Sequence, residues 1–184
     1  MKTADYFINK LQMLPHVEGG FYKEIISSEE SIKTSNNEEK KLFSSIYFLL
    51  RTGEVSHFHQ LTADEMWYYH AGSALTIYMI SPSGELITKN LGLDIEKGEQ
   101  PQILVPKGYI FGSTLINEGF SLVGCMVAPA FTFDDFKLFS QEDLLKKYPK
   151  YRDIILKLSK WLRWLYLIIK LIKKLLSLKA SYMY

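Results

Sequence analysis

The chain has four histidines, His16, His57, His59 and His70, and two of them form His57-Phe58-His59 inside a β-rich run. Strand side chains alternate, so His57 and His59 are expected on one face, about 7 Å apart along the chain. Glu65 follows across a turn, at the start of the next run, where it would face the same interior. Two imidazoles and a carboxylate converging in this way are a donor set for a divalent transition metal. The same three side chains without a metal make a hydrogen-bonding wall, and H-x-H spacing alone does not choose between the two. His70 fails the parity test, because Glu65, Trp67 and Tyr69 share one strand face while Met66, Tyr68 and His70 share the other. Trp67, Tyr69 and Tyr78 then read either as ligand platforms or as plain β-core aromatics.

Imidazole titrates near neutral pH, so His57 or His59 suits a general base that removes a proton beside a carbonyl. In that scheme Glu65 orients the base and Tyr69 or Tyr78 returns the proton. A binding module would use the same aromatics to stack on a small planar or sugar ligand, with the histidines hydrogen-bonding it. A second polar group lies earlier, in Pro15-His16-Val17-Glu18-Gly19-Gly20. Paired glycines allow a sharp reversal closed to other residues. His16 and Glu18 precede it, and Tyr22 and Glu24 follow it. Either His16 or Glu18 sits at a pocket rim, or the segment is a helix-to-strand corner with satisfied side chains.

Short strands must position these residues. After a helical spacing over Ala4–Leu14 ended by Pro15, and a polar loop or hairpin tip over Glu29–Lys41, the chain turns to β-rich runs. These are Phe43–Leu50, Val55–Gln60, Met66–His70, Ala74–Ile80, Leu86–Leu91, Gln102–Val105, Tyr109–Thr114, Phe120–Val127 and Phe131–Phe139. Turn residues such as Thr52-Gly53, Ala71-Gly72 and Pro106-Lys107-Gly108 separate them, and no helices intervene. Such spacing predicts an antiparallel sandwich or barrel. Ser140 reads as the N-cap of a short helix ending near Tyr148, and Pro149 opens a second helix that continues into the C-terminal tail.

With 184 residues, 47% apolar and 23% charged, the chain is neither disordered nor a disulfide scaffold. The single cysteine, Cys125, cannot pair within the chain, and no signal-peptide pattern follows Met1, so a cytoplasmic setting is the default expectation. The net charge of +2 conceals a division. Residues 1–153 carry −5, whereas residues 154–184 hold seven Lys and Arg with no acid. The acidic body gives no case for nucleic acid.

The run Gly53-Glu-Val-Ser-His57-Phe-His59, with Glu65 and Gly72 beyond it, resembles the first motif of the cupin superfamily, and Pro106-Lys-Gly108-Tyr-Ile-Phe111 resembles the second. A narrower likeness is to the cupin-5 group of domains of unknown function. It rests on Leu14-Pro-His-Val-Glu18-Gly-Gly-Phe-Tyr22-Lys-Glu24, Ser56-His-Phe-His-Gln-Leu, Asp64-Glu65-Met-Trp67-Tyr-Tyr-His-Ala-Gly72 and Leu122-Val-Gly-Cys125-Met-Val-Ala-Pro129-Ala-Phe. The resemblance implies a mainly β, single-domain double-stranded β-helix (jelly-roll) barrel over residues 1–159, with a short N-terminal helix and C-terminal helices. It also implies a homodimer and an open apolar-lined pocket, similar in shape to that of sugar-nucleotide epimerases. Phe111 stands where metal-binding cupins place a third histidine, and phenyl cannot ligate. Any metal on His57, His59 and Glu65 is therefore expected to be weakly held. The resulting expectation is a small-molecule barrel, isomerase- or epimerase-like, purely binding, or a weakly metal-dependent enzyme, with His57, His59 and Tyr69 catalytic and Glu18, Tyr22, Trp67, Tyr78 and Phe111 touching the ligand.

Residues 160–184 fall outside that pattern. Ile154, Leu158, Trp161, Leu165, Ile168, Ile172 and Leu175 make a helical stripe with a cationic edge, predicting a basic amphipathic helix over 154–178. Its lysines and arginine defeat membrane crossing. Packing on a barrel or sister subunit, peripheral contact with an anionic membrane surface, and an extension without a role remain open for it.

Overall fold

The computed structural model describes residues 2–34 and 37–159. They fall into two compact units, one ending at Leu138 and one beginning at Phe139. The first opens with α1 (Ala4–Leu11), capped by Thr3, whose hydroxyl accepts the Tyr6 N–H at 3.2 Å. The helix stops at Leu11, three residues short of the expected end, and Gln12 takes a left-handed φ of 54°. Proline disfavours helical backbone in the residue before it, so Leu14 is extended. Leu14–Pro15 instead form a short strand, β1.

Thirteen further strands follow: β2 (Phe21–Ser27), β3 (Ser31–Lys33), β4 (Glu39–Lys41), β5 (Ser44–Arg51), β6 (Val55–Leu61), β7 (Asp64–Gly72), β8 (Leu75–Ile80), β9 (Leu86–Leu91), β10 (Glu99–Gln100), β11 (Gln102–Val105), β12 (Ile110–Leu115), β13 (Phe120–Ala128) and β14 (Phe136–Leu138). They form two six-stranded sheets, ordered β1-β2-β5-β13-β7-β11 and β10-β9-β8-β12-β6-β14. Pairing is antiparallel except between β9 and β10. β3 and β4 make a separate hairpin where the polar loop was expected. This is the antiparallel barrel among the alternatives that the strand spacing predicted, and the jelly roll that the family resemblance implied.

Strand alternation builds the core. Phe48 and Leu50 of β5 and Trp67 of β7 turn inward to meet Leu75, Ile77 and Phe111, all essentially without exposure. Leu49, between the first two, turns outward and is buried under α1 with Met13, Leu122, Phe7 and Phe120. The amphipathic face of α1 thus covers an apolar strip that would otherwise lie open on the sheet.

Phe131–Phe139 does not form the long strand expected from its aromatics. It contains a 3₁₀ turn at Phe133–Asp135 and only then the three-residue β14. Asp135 holds this turn, accepting from Lys40 Nζ and Thr132 Oγ1, each at 2.5 Å, and from Thr62 Oγ1.

In the second unit, Ser140 caps α2 (Gln141–Lys147) by accepting the Asp143 N–H at 3.0 Å. A 3₁₀ turn at Pro149–Tyr151 leads into α3 (Arg152–Leu158). The expected continuation of this helix into the tail ends here, because Ser159 is extended at φ −137° and ψ 148°. Its carbonyl accepts from Gln141 Nε2 at 3.3 Å, tying the end of α3 to the start of α2. The rest of the expected amphipathic helix lies outside the described residues. Among the described residues no helix is long and apolar enough to cross a membrane.

Candidate active site

The site begins at the turn between β1 and β2. Gly19 and Gly20 take φ values of +109° and +66°, in the left-handed region. A Cβ on Gly19 would lie 2.2 Å from the Val55 carbonyl oxygen. Only glycine fits there. The turn closes through the His16 N–H donating to the Gly20 carbonyl at 2.9 Å, and it docks on β6 through the His57 N–H donating to the Glu18 carbonyl at 2.7 Å. Glu18 is buried by this docking.

β6 meets it with a bulge. His59 pairs with Phe111 of β12, but Ser56 pairs with Ser113, so three steps on β6 match two on β12. The extra residue breaks the alternation from which His57 and His59 were expected to share a face. Ser56 and His59 reach Glu18 instead. Ser56 Oγ donates to Glu18 Oε1 at 3.0 Å, and His59 Nε2 lies 3.2 Å from Glu18 Oε2. His57 is buried beside the Gly19 turn, with Cδ2 3.8 Å from where a Gly19 Cβ would stand, and its ring does not line the cavity.

The cavity itself has a volume of ≈ 280 Å³. At about 30 Å³ per water that is room for roughly nine waters, at or below the lower end for ligand pockets. Its buried wall includes Glu18, His59, Glu65, Phe48 and Cys125. Tyr22 and His16 stand together, rings 4.8 Å apart, and Phe131 and Phe136 close another side. Exposed Pro15, Glu24, Thr132 and Phe133 also line it.

Of the residues expected to act, Glu18, Tyr22, His59 and Glu65 meet at this cavity. Trp67 and Phe111 do not line it; they are core residues behind it, with Phe111 4.0 Å ring to ring from His59 and 6.4 Å from Trp67. Tyr69 and Tyr78 do not line it either, and the Tyr69 hydroxyl donates to the Gly72 carbonyl at 2.5 Å. His57, His59 and Glu65 are not brought together as a metal set, and among the described residues no three His, Cys, Asp or Glu side chains group to hold a metal ion. The β6 bulge is the physical reason. Sequence reasoning missed Ser56, Cys125 and the Phe131–Phe136 segment. The density of three phenylalanines in six residues was a signal for the last of these.

Hydrogen bonding fixes the protons. His59 Nδ1 lies 2.7 Å from the His57 carbonyl, which only accepts, so Nδ1 carries a hydrogen and Nε2 is the basic atom facing Glu18. Burial lowers the His59 pKa to about 3; the bond to the His57 carbonyl opposes this, and His16 and His57 add to it. Burial pushes Glu18 well above the ordinary carboxylate range, and the Glu65 charge adds to that while the Ser56 hydroxyl opposes it. Burial thus disfavours the charged form of each, and in the neutral pair a proton on Glu18 Oε2 is donated to His59 Nε2. His16 is also neutral, burial lowering it to about 4. Its Nδ1 accepts the Glu18 N–H at 3.4 Å, leaving Nε2–H as a donor.

Glu65 is the other buried carboxyl, and among the described residues its Oε2 has no hydrogen-bond partner. Burial raises its pKa to about 7, against the pull of the Trp67 indole and the Cys125 thiol beside it.

Residues 5–139 match the family model described as "Cupin superfamily (DUF985)". The crystal structure of protein SO0799 from Shewanella oneidensis is 63% identical, with a TM-score of 0.82 over 87% of this chain and 99% of that one. A hypothetical protein from Leishmania major is 34% identical, with a TM-score of 0.81 over 86% of this chain and 99% of that one. The uncharacterized yeast protein YML079W from Saccharomyces cerevisiae is 29% identical over 159 residues, covering 78% of this chain and 79% of that protein. The turn, the bulged strand and the barrel around them lie within the matched residues, and the chain belongs to the DUF985 family of the cupin superfamily.

Proposed function

We propose that the barrel is an acid–base enzyme that moves a proton within a small hydroxy-carbonyl metabolite, in the manner of an isomerase or epimerase. The observation that carries this reading is the 3.2 Å contact between Glu18 Oε2 and His59 Nε2 at the wall of a closely sized cavity. A carboxyl and an imidazole that share one proton can give and take it with little net change in charge.

The step balances without an oxidant. Glu18 passes its proton to His59 Nε2 and, as carboxylate, takes the hydrogen from the carbon beside the ligand carbonyl. His16 Nε2–H supports the oxygen on which charge develops, as a neutral imidazole donor. Return of the proton to the neighbouring carbon, with the ligand's hydroxyl proton passing to the former carbonyl oxygen, gives an isomerisation. Return to the opposite face of the same carbon, after the enolate turns over in the cavity, gives an epimerisation. Transfer from His59 back to Glu18 then restores the pair. Ser56 holds Glu18 Oε1, and the His57 carbonyl holds the imidazole in the tautomer the step needs.

Hydrogen exchange into deuterium oxide, followed by proton NMR on a panel of small hydroxy-carbonyl compounds, tests this. The wild type is expected to exchange the hydrogen beside the carbonyl of at least one compound. Glu18→Gln and His59→Gln are each expected to slow it by about 10²–10⁴-fold, the usual weight of a positioned acid or base. Compounds that bind without exchanging would favour the competing reading, a ligand-binding barrel without catalysis.

A further inference from the structure

We infer that the cavity takes a small ligand bearing a protonated amine, whose N–H groups meet the unpartnered Glu65 carboxyl. The inference rests on Glu65 and the charge of the lining, and stands apart from the proton transfer assigned to Glu18 and His59.

Among the described residues Glu65 Oε2 is a buried acceptor with no hydrogen-bond partner, and Glu65 itself lines the cavity at 6% exposure. A native structure rarely leaves such an atom orphaned, and the Trp67 indole nitrogen beside Glu65 is itself without a hydrogen-bond partner among the described residues, so neither satisfies the other and a ligand donor to Oε2 fits the site. The lining says what kind. It holds Glu18, Glu24 and Glu65 and, among the described residues, no Lys or Arg. The other titratable groups that face this space are His16, Tyr22, His59 and Cys125, and both histidines are held neutral by burial. A carboxylate or phosphate would enter beside Glu24 and a partly ionised Glu65, with no cation to pair it. Its desolvation would go uncompensated.

An ammonium group supplies three donors and the opposite charge to Glu65. Aromatic side chains complete the fit. Tyr22, Phe48, Phe131 and Phe136 line the same space, and ring faces attract a cation stripped of water. A cavity of ≈ 280 Å³ restricts the ligand to something of about monosaccharide size or less.

Titration calorimetry on the full chain tests this with two matched sets: cyclohexylamine, cyclohexanol and cyclohexanecarboxylate; and glucosamine, glucose and glucuronate. In at least one set the amine is expected to bind about ten-fold or more tightly than its neutral partner, with the carboxylate weakest. Glu65→Gln, a near-isosteric change, is expected to remove most of that preference, whereas Glu118→Gln, an exposed carboxylate outside the lining, is expected to keep it. The inference is overturned if neither amine binds, if the neutral compounds bind as well as the amines, or if the preference survives Glu65→Gln. Should Glu65→Gln fail to fold, the wild-type ranking alone decides. The two readings are tested separately: an amine preference without proton exchange overturns the proposed reaction and keeps this inference, and exchange without an amine preference does the reverse.

Discussion

At the scale of single residues, the cavity sets two buried groups against each other in their response to pH. Glu65 has its pKa raised from 4.5 to about 7 by burial, so the folded state favours its protonated form. Its contribution to stability is complete below about pH 4.5 and is lost as pH rises through about 7. The full span corresponds to roughly 3 kcal/mol at most. His59 runs the other way: lowered from 6.5 to about 3, it contributes fully above pH 6.5, and that contribution is lost as pH falls toward 3. Glu65→Gln should therefore stabilise the protein relative to wild type at pH 8 and lose that advantage by about pH 4.5. Urea melts at the two pH values check this, and an equal effect at both would mean that Glu65 titrates as an exposed carboxyl.

At the scale of elements, the placement of Glu18 depends on a turn that only glycine can make. Gly19→Ala forces a Cβ to within 2.2 Å of the Val55 carbonyl oxygen, at a φ of +109°. The turn would have to pull away from β6 and take Glu18 with it. A loss of roughly 2 kcal/mol is expected, about 4–8 °C in melting temperature for a chain of this length, together with a larger fall in proton exchange. The sequence carried the glycine pair and the strand spacing plainly, because both follow local backbone rules. It also placed Glu18, Tyr22, His59 and Glu65 among the candidates. What it hid was the β6 bulge, which arises from pairing Ser56 and His59 with Ser113 and Phe111 far along the chain. One extra residue moved His57 off the cavity and put Ser56 onto Glu18, and no local pattern in Val55–Leu61 announces that. The Phe131–Phe136 segment was misread for a related reason. Its aromatics favour a strand locally, while the contacts of Asp135 with Lys40 and Thr62 bend it into a turn.

At the scale of the whole molecule, the barrel holds one hydrogen-bonded acid–base pair whose burial favours the neutral form of both groups. The account depends on that neutrality: an imidazolium at His59 would make Glu18 a fixed carboxylate, with no proton to give. Nitrogen-15 NMR of the full chain, with histidine ring nitrogens labelled and the pH moved from 8 to 5, reads it directly. The account predicts that His59 holds its hydrogen on Nδ1, with an unprotonated Nε2, and that neither His59 nor His16 titrates across this range. A His59 ring that becomes doubly protonated near pH 6.5, or that carries its hydrogen on Nε2, would contradict it.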